Sequence, residues 1–208
     1  MPFTTDLHFD GPPEAKQTLA LAHGAGAGMD TNFMNTFATA IGRQGIRVAR
    51  FEFPYMAAYR KTRERRPPDR QPILIETWLK VVEALGPKHL IIGGKSMGGR
   101  IASMVADQAG VAGLLCLGYP FHPVGKPDLL RVEHLRQIKT STLIVQGARD
   151  PFGNREEVAG YELATAITLH WMEDGDHDFK PRKSSGRTQP QNWDEAIAAA
   201  AAFIKALS

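Results

Sequence analysis

A chain of 208 residues, 43% of them hydrophobic, can bury one sizeable core and is most simply a single domain spanning residues 1–208. Its net charge of +3 is modest and local: between Arg60 and Arg70 six basic residues (Arg60, Lys61, Arg63, Arg65, Arg66, Arg70) face two acids (Glu64, Asp69). This is not a generally basic protein, so a nucleic-acid partner is disfavoured and would rest on that loop alone; nor does any run approach the ~18 consecutive apolar residues of a membrane span.

Met1 to Asp6 lacks the basic and apolar regions of a signal peptide, which fits a cytoplasmic location. Leu7 to Phe9 reads as a short strand, followed by a turn at Gly11-Pro12-Pro13. Thr18 to His23 is a buried strand running into the glycine-rich loop Gly24-Ala25-Gly26-Ala27-Gly28. Asp30 is then the expected N-cap of a helix with Phe33, Met34, Phe37, Ala38 and Ile41 on its apolar face. Gly45 stops that helix, and Ile46 to Phe53 is the next strand. From Pro54 to Pro72 the composition predicts a long polar loop. Pro72 opens a helix carrying Ile73, Ile75, Trp78, Leu79, Val82 and Leu85, which ends at Gly86-Pro87.

A short apolar run, His89 to Ile92, leads into Gly94-Lys95-Ser96-Met97-Gly98, and a helical pattern follows at once. Strand, Gly-x-Ser-x-Gly, helix is the context of a nucleophile elbow, where the serine sits on a strained turn with its hydroxyl lifted clear of the sheet. Gly94 and Gly98 are expected where a Cβ would collide. Two nucleotide motifs fail nearby. A P-loop ending in Gly94-Lys95-Ser96 would need its first glycine at His89, and a dinucleotide fingerprint from Gly24, trailed by Glu52, would need glycine or alanine where Met29 or Thr31 stands.

Beyond the helix that ends near Gly110, Ala112 to Gly118 is a strand containing the lone Cys116, which reads as a buried structural thiol. Tyr119-Pro120-Phe121-His122-Pro123 breaks the pattern, with Tyr119-Pro120 expected as a pocket wall. A short helix over 129–135 precedes the strand Thr142 to Gln146. Asp150 follows that strand's end. A helix over 155–163, the strand Ile167 to Met172, an irregular stretch containing His177 and a last helix from Trp193 to Leu207 complete the chain. Alternating strands and helices predict an α/β fold, a mostly parallel sheet covered on both faces.

In such a sheet, reactive groups gather beyond the carboxyl ends of the strands. Ser96, Asp150 and His177 fall there, in an order that suits a serine nucleophile, an anion that orients an imidazole, and the imidazole itself. Asp128 competes with Asp150 for the acid's place. His122, His134 and His170 compete with His177, which is favoured because it follows the last strand in a loop. His23 reads as a support of the glycine loop rather than a base. Asp174, Asp176 and Asp178 alternate like a calcium loop, but Phe179 stands where the glycine belongs and Ser185 where the glutamate belongs, so no metal is expected.

With Ala22-His23-Gly24-Ala25-Gly26, the Ser96 elbow, Gln146-Gly147-x-x-Asp150 and Asp176-His177-Asp178, the chain resembles the α/β-hydrolase superfamily over nearly its whole length. Gly118-Tyr119-Pro120-Phe121 and His177-Asp178-Phe179-Lys180-Pro181-Arg182 resemble the small dienelactone-hydrolase-like and testis-expressed-protein branches, with Ser96 where dienelactone hydrolases carry cysteine. The resemblance implies a fold with little or no lid and an oxyanion hole made by the amides of Met97 and Ala25. It further implies serine esterase chemistry on a small acyl substrate, without a cofactor. If the 60–70 loop borders the site, anionic substrates are favoured. The rival expectation is a non-catalytic scaffold that uses this loop as a contact surface.

Overall fold

The apolar runs pair into one seven-stranded sheet in a computed structural model that describes residues 6–207. Met1 to Thr5, most of the stretch read for a signal peptide, lies outside the described residues. In chain order the strands are β1 (His8–Asp10), β2 (Thr18–Ala22), β3 (Arg47–Phe51), β4 (Leu90–Lys95), β5 (Gly113–Leu117), β6 (Thr142–Gly147) and β7 (Ile167–Met172). They lie in the order β1-β3-β2-β4-β5-β6-β7, with β1 antiparallel at one edge and all other pairings parallel.

Among the described residues six α-helices accompany the sheet: α1 (Asn32–Gly42), α2 (Pro54–Thr62), α3 (Gln71–Leu85), α4 (Met97–Ala109), α5 (Arg155–Val158) and α6 (Gln189–Ala206). Because side chains alternate along a strand, each central strand feeds two cores. Leu19, Leu21, Ile91, Leu115 and Val145 pack with α1 and α6, whereas Ala20, Ala22, Ile92, Leu114 and Ile144 pack with α3 and α4. Strands β4, β5 and β6 are buried along their whole length, which explains why they read as continuous apolar runs rather than as alternation.

Several elements depart from the sequence expectation. Residues 54–62 form α2 instead of loop: Pro54 sits in its first turn, and the distant Asp69 carboxylate accepts from the Tyr55 amide at 2.8 Å. Only Tyr55 and Met56 of this helix are buried, too few to leave a hydrophobic period. Thr31, not Asp30, caps α1, its hydroxyl accepting from the Met34 amide at 3.3 Å, and Asp30 instead pairs with Arg60 at 2.9 Å. No α-helix forms over 129–135. The Arg131 amide bonds back to the Phe121 carbonyl at 2.8 Å, leaving one 3₁₀ turn at Glu133–Arg136. Helix α5 stops at Val158, just before Gly160, a residue that weakens a helix interior. Helix α6 starts four residues earlier than expected, because Thr188 and Gln191 close a capping box ahead of Trp193.

Candidate active site

The sharp turn between β4 and α4 carries Ser96 at φ 52° and ψ −116°, a backbone conformation that costs energy for any residue with a Cβ. The turn holds because the chain around it closes tightly. A Cβ on Gly98 would stand 2.6 Å from both the Ala22 and His23 carbonyl oxygens, and one on Gly94 would stand 2.5 Å from Ala22 O. Both glycines are therefore required where the elbow presses on β2. The first amides of α4, Met97 among them, belong to the N-terminal turn, where N–H groups lack intrahelical partners.

The loop after β2 passes beside the serine: a Cβ placed on Gly24 would lie 3.7 Å from Ser96 Cβ. Its path is fixed from beneath. His23 is fully buried, accepts from the Phe53 amide through Nε2 at 3.1 Å, and donates from Nδ1 to Gly24 O at 2.7 Å. Those partners require the neutral Nδ1–H tautomer, and burial lowers the pKa of the ring accordingly. The Tyr55 hydroxyl donates to Ala25 O at 2.9 Å. Glu52, 5% exposed, accepts from the Met29 amide at 3.3 Å and from Arg60 Nη2 at 2.6 Å. Glu52, the acid of the failed dinucleotide motif, thus braces the end of the glycine loop.

Asp150 and His177 meet directly. Asp150 is fully buried, and its Oδ2 accepts from His177 Nδ1 at 2.8 Å and from Gln146 Nε2 at 3.0 Å, while Oδ1 accepts from the Phe152 amide at 2.9 Å. Nδ1 is committed to the carboxylate, which leaves Nε2 as the nitrogen able to exchange a proton with a hydroxyl. Asp176 shapes the histidine loop by accepting from the amides of Asp178 and Lys180, both at 2.9 Å. The Phe152 ring packs 4.4 Å from the imidazole.

Ser96 and His177 line one cavity of about 640 Å³, together with Ala25, Phe33, Phe152 and Trp193. Among the described residues the hydrogen bonds do not include one between Ser96 Oγ and His177 Nε2. Such contacts commonly tighten only once substrate is bound.

The competing residues fall elsewhere. Asp128 is exposed in the segment before β6. His122 is buried between Pro123 O and Glu157. His134 Nε2 lies 2.8 Å from Ser103 Oγ, but that hydroxyl donates to Arg100 O within α4 and does not line the cavity. A nucleophile must reach substrate, so this serine–histidine pair is structural. The expected wall Tyr119-Pro120 is also corrected: Tyr119 is fully buried, bonded to Gln146 and Arg131, and takes no part in the lining. Arg60 is held by Glu52 and Asp30, and no residue of 60–70 lines the cavity that holds Ser96 and His177; Arg63 and Arg60 line a smaller one that shares only Gly28 with it. Asp174 pairs with Arg149 and Arg182 rather than joining an acidic cluster, and among the described residues no group of three or more His, Cys, Asp or Glu is placed to hold a metal ion.

Sequence reasoning missed Gln146 as the residue that holds Asp150, and read Lys95 only as part of a failed P-loop. The signal for Lys95 was its position as a charged residue at the end of an otherwise apolar strand.

The α/β hydrolase domain model matches residues 15–205. Among solved structures, an α/β serine hydrolase homologue from Coxiella burnetii superposes with a TM-score of 0.70 at 20% identity, covering 94% of this chain and 91% of that one. A dienelactone hydrolase from Anabaena variabilis gives 0.74 at 18% identity over 98% and 92%. A serine hydrolase without lid from Xanthomonas campestris gives 0.62 at 16% identity over 98% and 87%. At these identities the likeness is one of fold, and the matched family model carries the assignment. The chain belongs to the α/β-hydrolase domain family.

Proposed function

We propose that the protein is a serine hydrolase that cleaves an ester or related acyl bond through a covalent acyl-enzyme. The observation that carries this reading is the fully buried Asp150 bonded to His177 Nδ1 at 2.8 Å, in a ring that shares its cavity with the strained Ser96. Ser96 Oγ attacks the carbonyl carbon while His177 Nε2 takes its proton, and Asp150 stabilises the resulting imidazolium. The amides of Met97 and Ala25 receive the oxyanion, each worth ~3 kcal/mol in the transition state. The imidazolium protonates the leaving alkoxide, and His177 then acts as base for the water that releases the acid.

Phe33, Met34, Phe152 and Trp193 give the cavity an apolar lining, which suits a small or medium acyl or aryl ester. With the 60–70 segment outside that lining, preference for an anionic substrate has no support from these arginines. Ser96→Ala tests the assignment, because it removes only the hydroxyl. Turnover of a short 4-nitrophenyl ester should fall on the order of 10³-fold or more with the melting temperature preserved. Unchanged turnover in a folded variant would overturn Ser96 as the nucleophile, whereas a folded wild type that hydrolyses no ester would leave the scaffold as the better reading.

A further inference from the structure

Lys95 directly precedes the proposed nucleophile, and its side chain is only 10% exposed. A lysine ammonium is seldom buried without dedicated partners, since removing it from water is costly. Here Nζ donates to the backbone carbonyl of His177 at 2.7 Å and pairs with Asp178 Oδ1 at 3.2 Å. The Phe33 ring lies beneath the cation, 5.5 Å away. Burial lowers the pKa of the ammonium, and Asp178 and then Asp150 oppose that effect.

The end of β5 leaves room for this arrangement. Gly118 has φ 68°, and a Cβ there would stand 3.0 Å from His177 O, 3.2 Å from Lys95 Nζ and 3.3 Å from His177 Nδ1. Three strand ends thus converge on the histidine: β4 through Lys95, β5 through Gly118 and β6 through Asp150.

We infer that Lys95 is a positioning residue, a cationic clamp that ties the histidine loop to the strand carrying Ser96. The inference rests on the triad reading above. Asp150 fixes the ring from its Nδ1 side, and the loop 176–180 is held by Asn192 of α6 and by the Phe179 ring packed on Phe33 and Phe37 of α1; Lys95 adds a tie to β4. The bond from Lys95 to His177 O makes the serine–histidine geometry a property of β4. It also places a positive charge beside the imidazole, so that loss of the charge eases protonation of the site. The charged groups facing His177 are Asp150 from the segment after β6, Lys95 from β4, and Asp176 and Asp178 from its own loop.

The test compares the full-length wild type with Lys95→Met and Asp178→Asn, measuring kcat and KM for a short neutral 4-nitrophenyl ester across pH. Lys95→Met should lower kcat by about 10- to 100-fold, as small misplacements of catalytic groups do, with KM changing little. The acid limb of its kcat/KM profile should move to higher pH by about half a unit or more, because an imidazole without the neighbouring cation protonates more easily. Asp178→Asn keeps the bond to the carbonyl and should retain most of kcat. Should Lys95→Met not fold, Lys95→Gln, which keeps an N–H donor and removes the charge, is read by the same limb shift. An unmoved limb overturns the clamp, whether kcat is unchanged or falls only as a packing defect would make it fall. Full activity in Ser96→Ala would instead overturn the triad, and the clamp with it.

Discussion

Replacing Asp150 by asparagine keeps the shape of the site and changes its hydrogen-bond logic. The carboxylate accepts three bonds and donates none: from His177 Nδ1 at 2.8 Å, Gln146 Nε2 at 3.0 Å and the Phe152 amide at 2.9 Å. An asparagine has one accepting end. If its oxygen faces Phe152, its amide nitrogen meets the Gln146 amide donor head on, and His177 must turn its proton to Nε2 in order to accept at Nδ1. That tautomer cannot take a proton from Ser96. If the oxygen faces His177 instead, the tautomer survives, but the Phe152 amide faces a donor and the imidazolium loses its anion. Either orientation leaves a buried donor opposed, costing about 1–3 kcal/mol. For a chain of this size that lowers the melting temperature by roughly 2–4 °C per kcal/mol. The catalytic loss should be ~10²–10⁴-fold, mostly in kcat, with the upper end reached if the tautomer flips. Steady-state hydrolysis of a 4-nitrophenyl ester, well below the melting temperature of the variant, reads it directly. Asp128→Asn, in an exposed segment, is the control and should stay near wild type. A crippled Asp128→Asn beside an Asp150→Asn that retains wild-type kcat would remove Asp150 from the triad.

Ser103→Ala removes the hydroxyl that faces His134 inside α4 and should leave ester hydrolysis within about twofold while costing ~1 kcal/mol of stability; a collapse of activity in a folded variant would move the nucleophile there. Stability should also depend on pH through His23 and His134, whose folded pKa values are lowered, chiefly by burial. Their neutral forms are favoured in the folded state, so this stability is complete above the unfolded value of about 6.5 and is lost as pH falls below it toward the folded values. The urea midpoint should drop across that window, with a shallower slope in His134→Gln; a midpoint that is flat or rises on acidification would contradict the neutral-histidine reading.

The parallel sheet was legible in the sequence because its central strands are buried on both faces and therefore read as unbroken apolar runs. Ser96 was legible because the elbow's sterics demand glycine two residues either side. Asp150 and His177 were reachable from strand ends and chain order, although their meeting depends on a register between β6 and the loop after β7 that no local pattern encodes. Helix α2 was hidden because only two of its residues are buried, and the cap of α1 was misread because both Asp30 and Thr31 are good caps and Arg60 claims the aspartate. Tyr119 was mistaken for cavity wall because a backbone break after a strand looks the same whether the chain turns toward the site or beneath it. Lys95 was overlooked for a different reason. Its partners are a carbonyl and a carboxylate more than eighty positions away, and the sequence shows only that the charge is out of place.

Whether Ser96 is an activated nucleophile is read by reacting the native protein with a fluorophosphonate probe and locating the adduct by peptide mass spectrometry. One phosphonyl group per chain is expected, on Ser96, with labelling abolished in Ser96→Ala and strongly slowed in His177→Ala. No labelling of the folded native protein, or an adduct on Ser103 or another residue, would contradict it.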